Sequence, residues 1–244
     1  MNDGDAMRPA VLEGELDFSG KYSKQKADEY FSKHRSTFGR RFSDRWEHRM
    51  ARRALQLAGD PDSVLDLPCG AGRFWDLLAE KPDRELYAAD YAEGMLVVAK
   101  QLQPAEIASR FNVFQTSAFD IKMDDNAVDS ILCMRLLHHI GERDDRMRIY
   151  REFHRVTRDT VSISLWVDGN YKAWRRQKLE QDRSSGKKPR KRKKNFQNRF
   201  IQPRQALERE FAEAGFDIIG KVDFLPGYSM WRTYVLRKTE RSSL

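Results

Sequence analysis

In the stretch VLDLPCGAGRF, Val64 to Phe74, an apolar run ends on an acid, Asp66, and passes through Gly70 and Gly72 into a helical pattern. A strand, turn and helix in that order set a ligand at the carboxyl end of the strand beside a helix N-terminus, where glycine lets the backbone come close. Several nucleotide-type ligands suit such a junction. The dinucleotide spacing GxGxxG is not met, because the third position counted from Gly70 and Gly72 is the bulky Trp75, and no GxxxxGK[ST] phosphate loop occurs. A second acid, Asp90, follows the apolar run Leu86 to Ala89 and lies 24 residues after Asp66. A carboxylate there accepts only, and can take two donors at once.

The elements that must position these residues alternate. Short apolar runs at Ser63 to Leu67, Leu86 to Ala89, Asn112 to Thr116, Ser130 to Met134 and Val161 to Trp166 predict strands. Helical patterns at Phe74 to Glu80, Gly94 to Leu102 and Asp144 to Val156 separate them, which predicts a parallel sheet covered on both faces. Two further helices precede it, Ser23 to Arg35 and Ser43 to Ala58, the second with Ser43 as cap and Trp46, Met50, Ala54 and Leu57 on one face. After the fifth strand come a helix, Pro203 to Ala214, and strands near Phe216 to Val222 and Trp231 to Arg237. The organisation expected is a loose N-terminus over 1–20, a helical cap over 21–58 and one domain over 59–244 with a basic insertion at about 170–202.

The charge is local. Of 45 Lys and Arg against 37 Asp and Glu, the segment Lys172 to Arg199 holds 13 basic residues and only two acids, Glu180 and Asp182, which leaves 32 against 35 elsewhere. Seven of the eight positions Lys187, Lys188, Pro189, Arg190, Lys191, Arg192, Lys193 and Lys194 are basic. Cys69 and Cys133 sit in apolar runs without CxxC or a Cys/His cluster, so neither a disulfide framework nor a metal site is expected. No leader pattern and no bilayer-length apolar run is visible, so the reading is a reduced, cytoplasmic protein, with peripheral attachment to a membrane as an option.

Asp66-Leu67-Pro68-Cys69-Gly70-Ala71-Gly72 resembles the first motif of the class I S-adenosylmethionine-dependent methyltransferases, with Pro68 where a glycine often stands. The resemblance covers roughly residues 60–165 and, weakly, the last 45 residues. It implies an α/β, Rossmann-like sheet of seven mostly parallel strands with the last antiparallel, and S-adenosylmethionine as cofactor. It also implies that Asp90 accepts from both ribose hydroxyls, with Arg73 and Tyr91 in the flanking loops. Ser117, Ala118 and Phe119 fall at the adenine position, with Asp120 as an alternative partner for the exocyclic amine. Cys133, Met134 and Arg135 fall where the chain turns beneath the cofactor, Phe119 and Met134 having a purely core role as the competing reading.

His138 and His139 then lie near the expected methyl donor, and an imidazole can take a proton from a hydroxyl or amine; of the two, His139 is favoured to face the pocket. A sulfonium is already an activated leaving group, so holding donor and acceptor in line can suffice. Cap aromatics, Tyr22, Tyr30, Trp166, Tyr228 and Trp231, are the candidates for enclosing the acceptor. The acceptor expected is a small molecule or a lipid- or glycolipid-linked one, methylated at oxygen or nitrogen, with an anionic acceptor among the options. The basic run sits where this family inserts recognition elements. It is read either as a solvated loop or as the grip on a phosphate-rich ligand or anionic membrane surface, while nucleic acid is less favoured for want of an RRM, KH or OB signature. The competing reading is an RNA or protein methyltransferase, or an idle nucleic-acid-binding scaffold.

Overall fold

The computed structural model describes residues 38–185 and 199–239. The expected helix Ser23 to Arg35, the loose N-terminus and the basic run lie outside them. Helix α1 spans Phe38–Leu57, followed by β1 Ser63–Asp66, α2 Trp75–Ala79, β2 Glu85–Asp90, α3 Glu93–Leu102, a single turn α4 Ala105–Ala108, β3 Phe111–Gln115 and β4 Val128–Cys133. A 3-10 turn at Leu137–His139 leads to α5 Arg143–Val156, β5 Thr157–Trp166, α6 Tyr171–Ser184, α7 Arg204–Glu213, β6 Phe216–Asp223 and β7 Trp231–Lys238.

The strands form one seven-stranded sheet in the order β3-β2-β1-β4-β5-β7-β6. β1 to β5 pair in parallel, and β7 runs antiparallel between β5 and β6. All the strands expected from the apolar runs are present, and the mixed sheet is the one the methyltransferase resemblance implied. The central strands read as unbroken apolar runs because each face is covered. Val64, Ala88 and Leu132 pack toward α1, α2 and α3, whereas Leu65, Ala89 and Ile131, one residue along, pack toward α5 and α7. Trp75 on the first face and Tyr150 and Phe153 on the second are fully buried. Burying a single large apolar side chain contributes about 1.5–3 kcal/mol, so two such layers clamp the strand ends in place.

Two helices differ from the expectation. Phe38 is already helical, so Ser43 is not the cap of α1; it lies at least a full turn inside, and its hydroxyl donates to Glu47 Oε1 at 3.3 Å. α6 arises inside the segment expected to be an insertion. Its polar sequence has one fully buried side chain, Ala173, and it is started by backbone capture. Asn170 Oδ1 accepts from Ala173 N–H at 2.9 Å, while Tyr171 and Lys172 N–H donate to the carbonyls of Gly227 and Tyr228 at 2.9 and 3.0 Å. Those are the donors a first helical turn leaves unmet.

α5 and α7 are joined by a buried ion pair. Arg146 Nε and Nη2 donate to Glu210 Oε2 and Oε1 at 2.9 and 2.6 Å, and Arg146 Nη1 donates to the carbonyl of Gly141 at 2.6 Å, which ties down the turn after His139. Removing one partner of such a pair leaves a buried charge. Glu210→Ala is therefore expected to lower urea-unfolding stability by about 3–5 kcal/mol, whereas Glu213→Ala, in the exposed pair with Arg143, leaves it unchanged; equal effects of the two would contradict this assignment.

Candidate active site

β1 delivers Asp66 to the middle of the sheet's carboxyl edge, hydrogen-bonded between β2 and β4. The Asp66 side chain is fully buried and neither carboxylate oxygen has a hydrogen-bond partner. Burial, with the Asp90 charge nearby, pushes its pKa well above the carboxylate range. The chain then turns: the Leu67–Pro68 bond is cis, and Cys69 N–H donates to the carbonyl of Ala89 at 2.8 Å. Gly70 and Gly72 both adopt positive φ, +55° and +72°. A Cβ on Gly72 would come within 2.9 Å of the Trp75 ring, so the glycine is required by the indole that replaces the third glycine of a dinucleotide site. Trp75 itself stacks on Phe111 with ring centroids 4.3 Å apart.

Asp90 ends β2 beside this turn. Its Oδ2 accepts from Gly70 N–H and its Oδ1 from Ala92 N–H, both at 2.9 Å, so the carboxylate is fixed in orientation. Tyr91 is half-buried and its carbonyl accepts from Gln115 Nε2 at 2.7 Å. Past β3, Ser117 Oγ accepts from Phe119 N–H at 3.0 Å and Thr116 Oγ1 donates to the carbonyl of Asp120 at 2.9 Å, which closes a tight loop. Ala118 and Phe119 are half-buried, with the Arg148 guanidinium 4.9 Å from the Phe119 ring, and Asp120 is exposed.

At the end of β4, Cys133 and Met134 are buried and Arg135 takes a positive φ of 68°, its N–H donating to Ser164 Oγ at 2.8 Å. The Arg135 guanidinium reaches Glu47 Oε2 of α1 at 3.6 Å, and Arg73 reaches the same atom at 2.9 Å and Asp44 at 2.7 Å. Glu47 and Asp44 were not among the sequence candidates. Their signal was present, two acids three apart in an otherwise basic helix, but only the fold shows that both arginines converge on them.

His138 is buried, with its ring 4.1 Å from that of the half-exposed His139. Burial, followed by the neighbouring His139 and then the positive charges of Arg135 and Arg199, holds the His138 imidazole well below its ordinary pKa, hence neutral. Its ring stacks on Trp166 at 5.2 Å and abuts Trp231 at 4.8 Å. Tyr228 is exposed, stacked on Tyr171. Tyr22, Tyr30 and the run Lys187, Lys188, Arg190, Lys191, Arg192, Lys193 and Lys194 lie outside the described residues. Among the described residues no three His, Cys, Asp or Glu side chains gather as metal ligands, and no helix is long and apolar enough to cross a membrane.

An acid buried at the end of the first strand, a glycine turn over it and a second, oriented acid at the end of the neighbouring strand lie together where a doubly wound sheet leaves a crevice for a ligand. Residues 65–164 match the family model described as a methyltransferase domain. The chain is 37% identical over 94 residues to an uncharacterized Synechococcus protein, syc1184_c, and 26% identical over 136 residues to the demethylmenaquinone methyltransferase of Geobacillus kaustophilus. These alignments cover 38% and 55% of this chain but only 22% and 56% of those relatives. Among solved structures, magnesium protoporphyrin IX methyltransferase from Synechocystis PCC 6803, with bound SAH, superposes with a TM-score of 0.68 at 12% identity over 90% of this chain and 97% of that one. Residues 65–164 are thus similar to a methyltransferase domain, for which the sequence resemblance implies S-adenosylmethionine as cofactor. The residues present suit that cofactor: Gly70 and Gly72 open the backbone, Asp90 offers oriented acceptors for ribose hydroxyls, and the Asp66 carboxyl is an orphaned buried group at the same turn.

A buried carboxyl whose folded pKa is raised carries no penalty below its unfolded pKa near ~4 and loses stability as pH rises from there through the folded value. The stability of Asp66→Asn relative to wild type is therefore expected to rise by more than about 1 kcal/mol between pH 4 and pH 7 in the cofactor-free protein. A difference independent of pH in thermal or urea unfolding would contradict it.

Proposed function

We propose that this protein transfers the methyl group of S-adenosylmethionine to an oxygen or nitrogen of an organic acceptor, a small molecule or a lipid- or glycolipid-linked one. The observation that carries the reading is Asp90, whose carboxylate is held by two backbone N–H groups beside the Gly70 turn. The bound cofactor would supply a methyl group on a sulfonium, already activated for transfer. What falls to this chain is to hold the acceptor in line and exclude water.

Trp166, Trp231 and the His138–His139 pair wall the region past the ends of β4 and β5, next to the Met134–Arg135 turn. With His138 buried and neutral, His139 is the member that takes the acceptor proton. The relative named for demethylmenaquinone and the neighbour named for magnesium protoporphyrin IX support an organic acceptor rather than RNA or protein.

A second part of the reading concerns location. Trp174 is 55% exposed and tilted against Tyr171, which stacks on Tyr228, beside an open depression lined by Gly169, Asn170, Tyr171, Trp174 and Gly227. Lys178 lies over the Trp174 ring at 5.1 Å and Lys172 over Tyr228 at 5.0 Å. Exposed Trp and Tyr interleaved with lysine suit an anionic lipid surface, and the same helix leads in sequence to the Lys187 to Lys194 run. Each basic residue near such a surface adds about 1 kcal/mol.

Calorimetry with S-adenosylmethionine tests the first part. Wild type is expected to bind and Asp90→Ala to lose at least about tenfold in affinity, since a hydrogen bond to a charged group is worth about 1.5–3 kcal/mol. Absence of binding by wild type, or unchanged binding by the variant, would favour an idle scaffold. Sedimentation with phosphatidylglycerol vesicles tests the second: Trp174→Ala is expected to bind about tenfold more weakly than wild type, as loss of a buried aromatic's transfer energy requires. Equal sedimentation would remove the aromatic patch from membrane attachment.

A further inference from the structure

A helix that only covered a sheet would have no use for a buried carboxylate, yet α1 carries one. Its second half is held by apolar packing. Ala51 and Leu55 are buried in one cluster with Val64 and Leu132, Ala54 and Ala58 in another with Val235, and Leu57 occupies the space a side chain on Gly220 would need. In its first half stands Glu47, whose side chain is only 6% exposed. Taking a charge out of water is costly, and an apolar residue of similar volume would pack the helix as well. What Glu47 joins explains its presence better than what it fills.

Its Oε2 is shared by two guanidiniums. Arg73 Nη1 lies 2.9 Å from it and Arg135 Nη1 3.6 Å. Arg73 directly follows Gly72 and Arg135 directly follows Met134, so the pair comes from the turns that leave the adjacent strands β1 and β4. Each arginine is also held from a second side. Asp44, one turn before Glu47 on α1, has its Oδ1 2.7 Å from both Nε and Nη2 of Arg73. Arg135 takes its positive φ of 68°, a region that costs a residue with a side chain, and its N–H donates to Ser164 Oγ at 2.8 Å. Strain of this kind persists where the surroundings over-determine the backbone, and it clusters at functional sites. The Glu47 carboxylate is itself steadied by Ser43, whose hydroxyl donates to Oε1.

We propose that Glu47 is a positioning residue for the cofactor: through Arg73 and Arg135 it sets the separation of the glycine turn and the turn after β4, and so the affinity for S-adenosylmethionine, without touching that molecule. The inference rests on the cofactor reading given above. It assigns to that site a residue outside the stretch 65–164 that matches the family model. One carboxylate tied to two turns fixes their distance before the ligand arrives, which lowers the cost of ordering them on binding.

The test is calorimetry of S-adenosylhomocysteine binding to the full chain, at a temperature well below each variant's unfolding transition, so that stability and affinity are read apart. Glu47→Gln, which keeps the shape and removes the charge, is expected to bind about tenfold more weakly than wild type, a size typical of coupling between sites, and Glu47→Asp to regain part of that loss. Arg135→Gln is expected to weaken binding in the wild-type background but to add nothing to Glu47→Gln, because it acts through the same carboxylate. Wild-type affinity in Glu47→Gln, no recovery in Glu47→Asp, or losses that add in the double variant would overturn the proposal. Should Glu47→Gln not fold, the pair Arg73→Gln and Arg135→Gln decides: a double variant no weaker than the weaker single supports it, and additive losses overturn it. No binding by wild type would overturn the cofactor reading itself, an outcome distinct from binding that is indifferent to Glu47.

Discussion

The feature on which the rest of the site depends is the meeting of two carboxylates at the carboxyl ends of neighbouring parallel strands. Asp66 is paired in register with Ala88, so Asp90 lies two residues further along β2, level with the turn that leaves β1. One acid is buried without partners and the other is oriented by Gly70 and Ala92 N–H. Like charges so placed raise the cost of ionising Asp66, and the glycine turn is held by Asp90 through Gly70 N–H. The sheet order places β1 where the strands diverge to either side, β2 and β3 on one, β4 and β5 on the other, which is where an open sheet leaves a crevice for a ligand.

From that crevice the site extends toward β4, β5 and β7, and its character changes from acidic to basic. The Met134–Arg135 turn is the boundary. Before it stand Asp66 and Asp90; beyond it stand Arg135, Arg176 and Arg199 around Trp166, Trp231 and His138. α1 links the two halves, since Glu47 faces both Arg73 of the glycine turn and Arg135 of the acceptor side.

Most of the sheet was legible in the sequence because covered parallel strands are short apolar runs, and Val64, Leu86, Ile131 and Ile163 all fall in such runs and are buried. The Asp66 to Gly72 turn was legible for a related reason: glycine, proline and acid at a strand end constrain the backbone locally, so type and spacing suffice. The acceptor half was not. Arg176 sits on a helix with little apolar periodicity, started by carbonyls of the Gly227–Tyr228 turn more than fifty residues away, and no local pattern reports that. Glu47 and Arg135 meet only because α1 packs across β5, β7 and β6. Ser43 misled for the complementary reason, since a serine before an apolar face resembles a cap while the helix already includes Phe38.

The central claim is that the Asp66 to Gly72 turn and Asp90 hold the adenosyl cofactor. A crystal structure of the protein grown with S-adenosylhomocysteine tests it most directly. The account predicts the ribose hydroxyls within hydrogen-bond distance of the Asp90 carboxylate, the amino-acid part over Gly70 and Gly72, and the sulfur pointing toward the His138–His139 turn. A cofactor seated elsewhere, or an Asp90 carboxylate that does not touch the ribose, would contradict it.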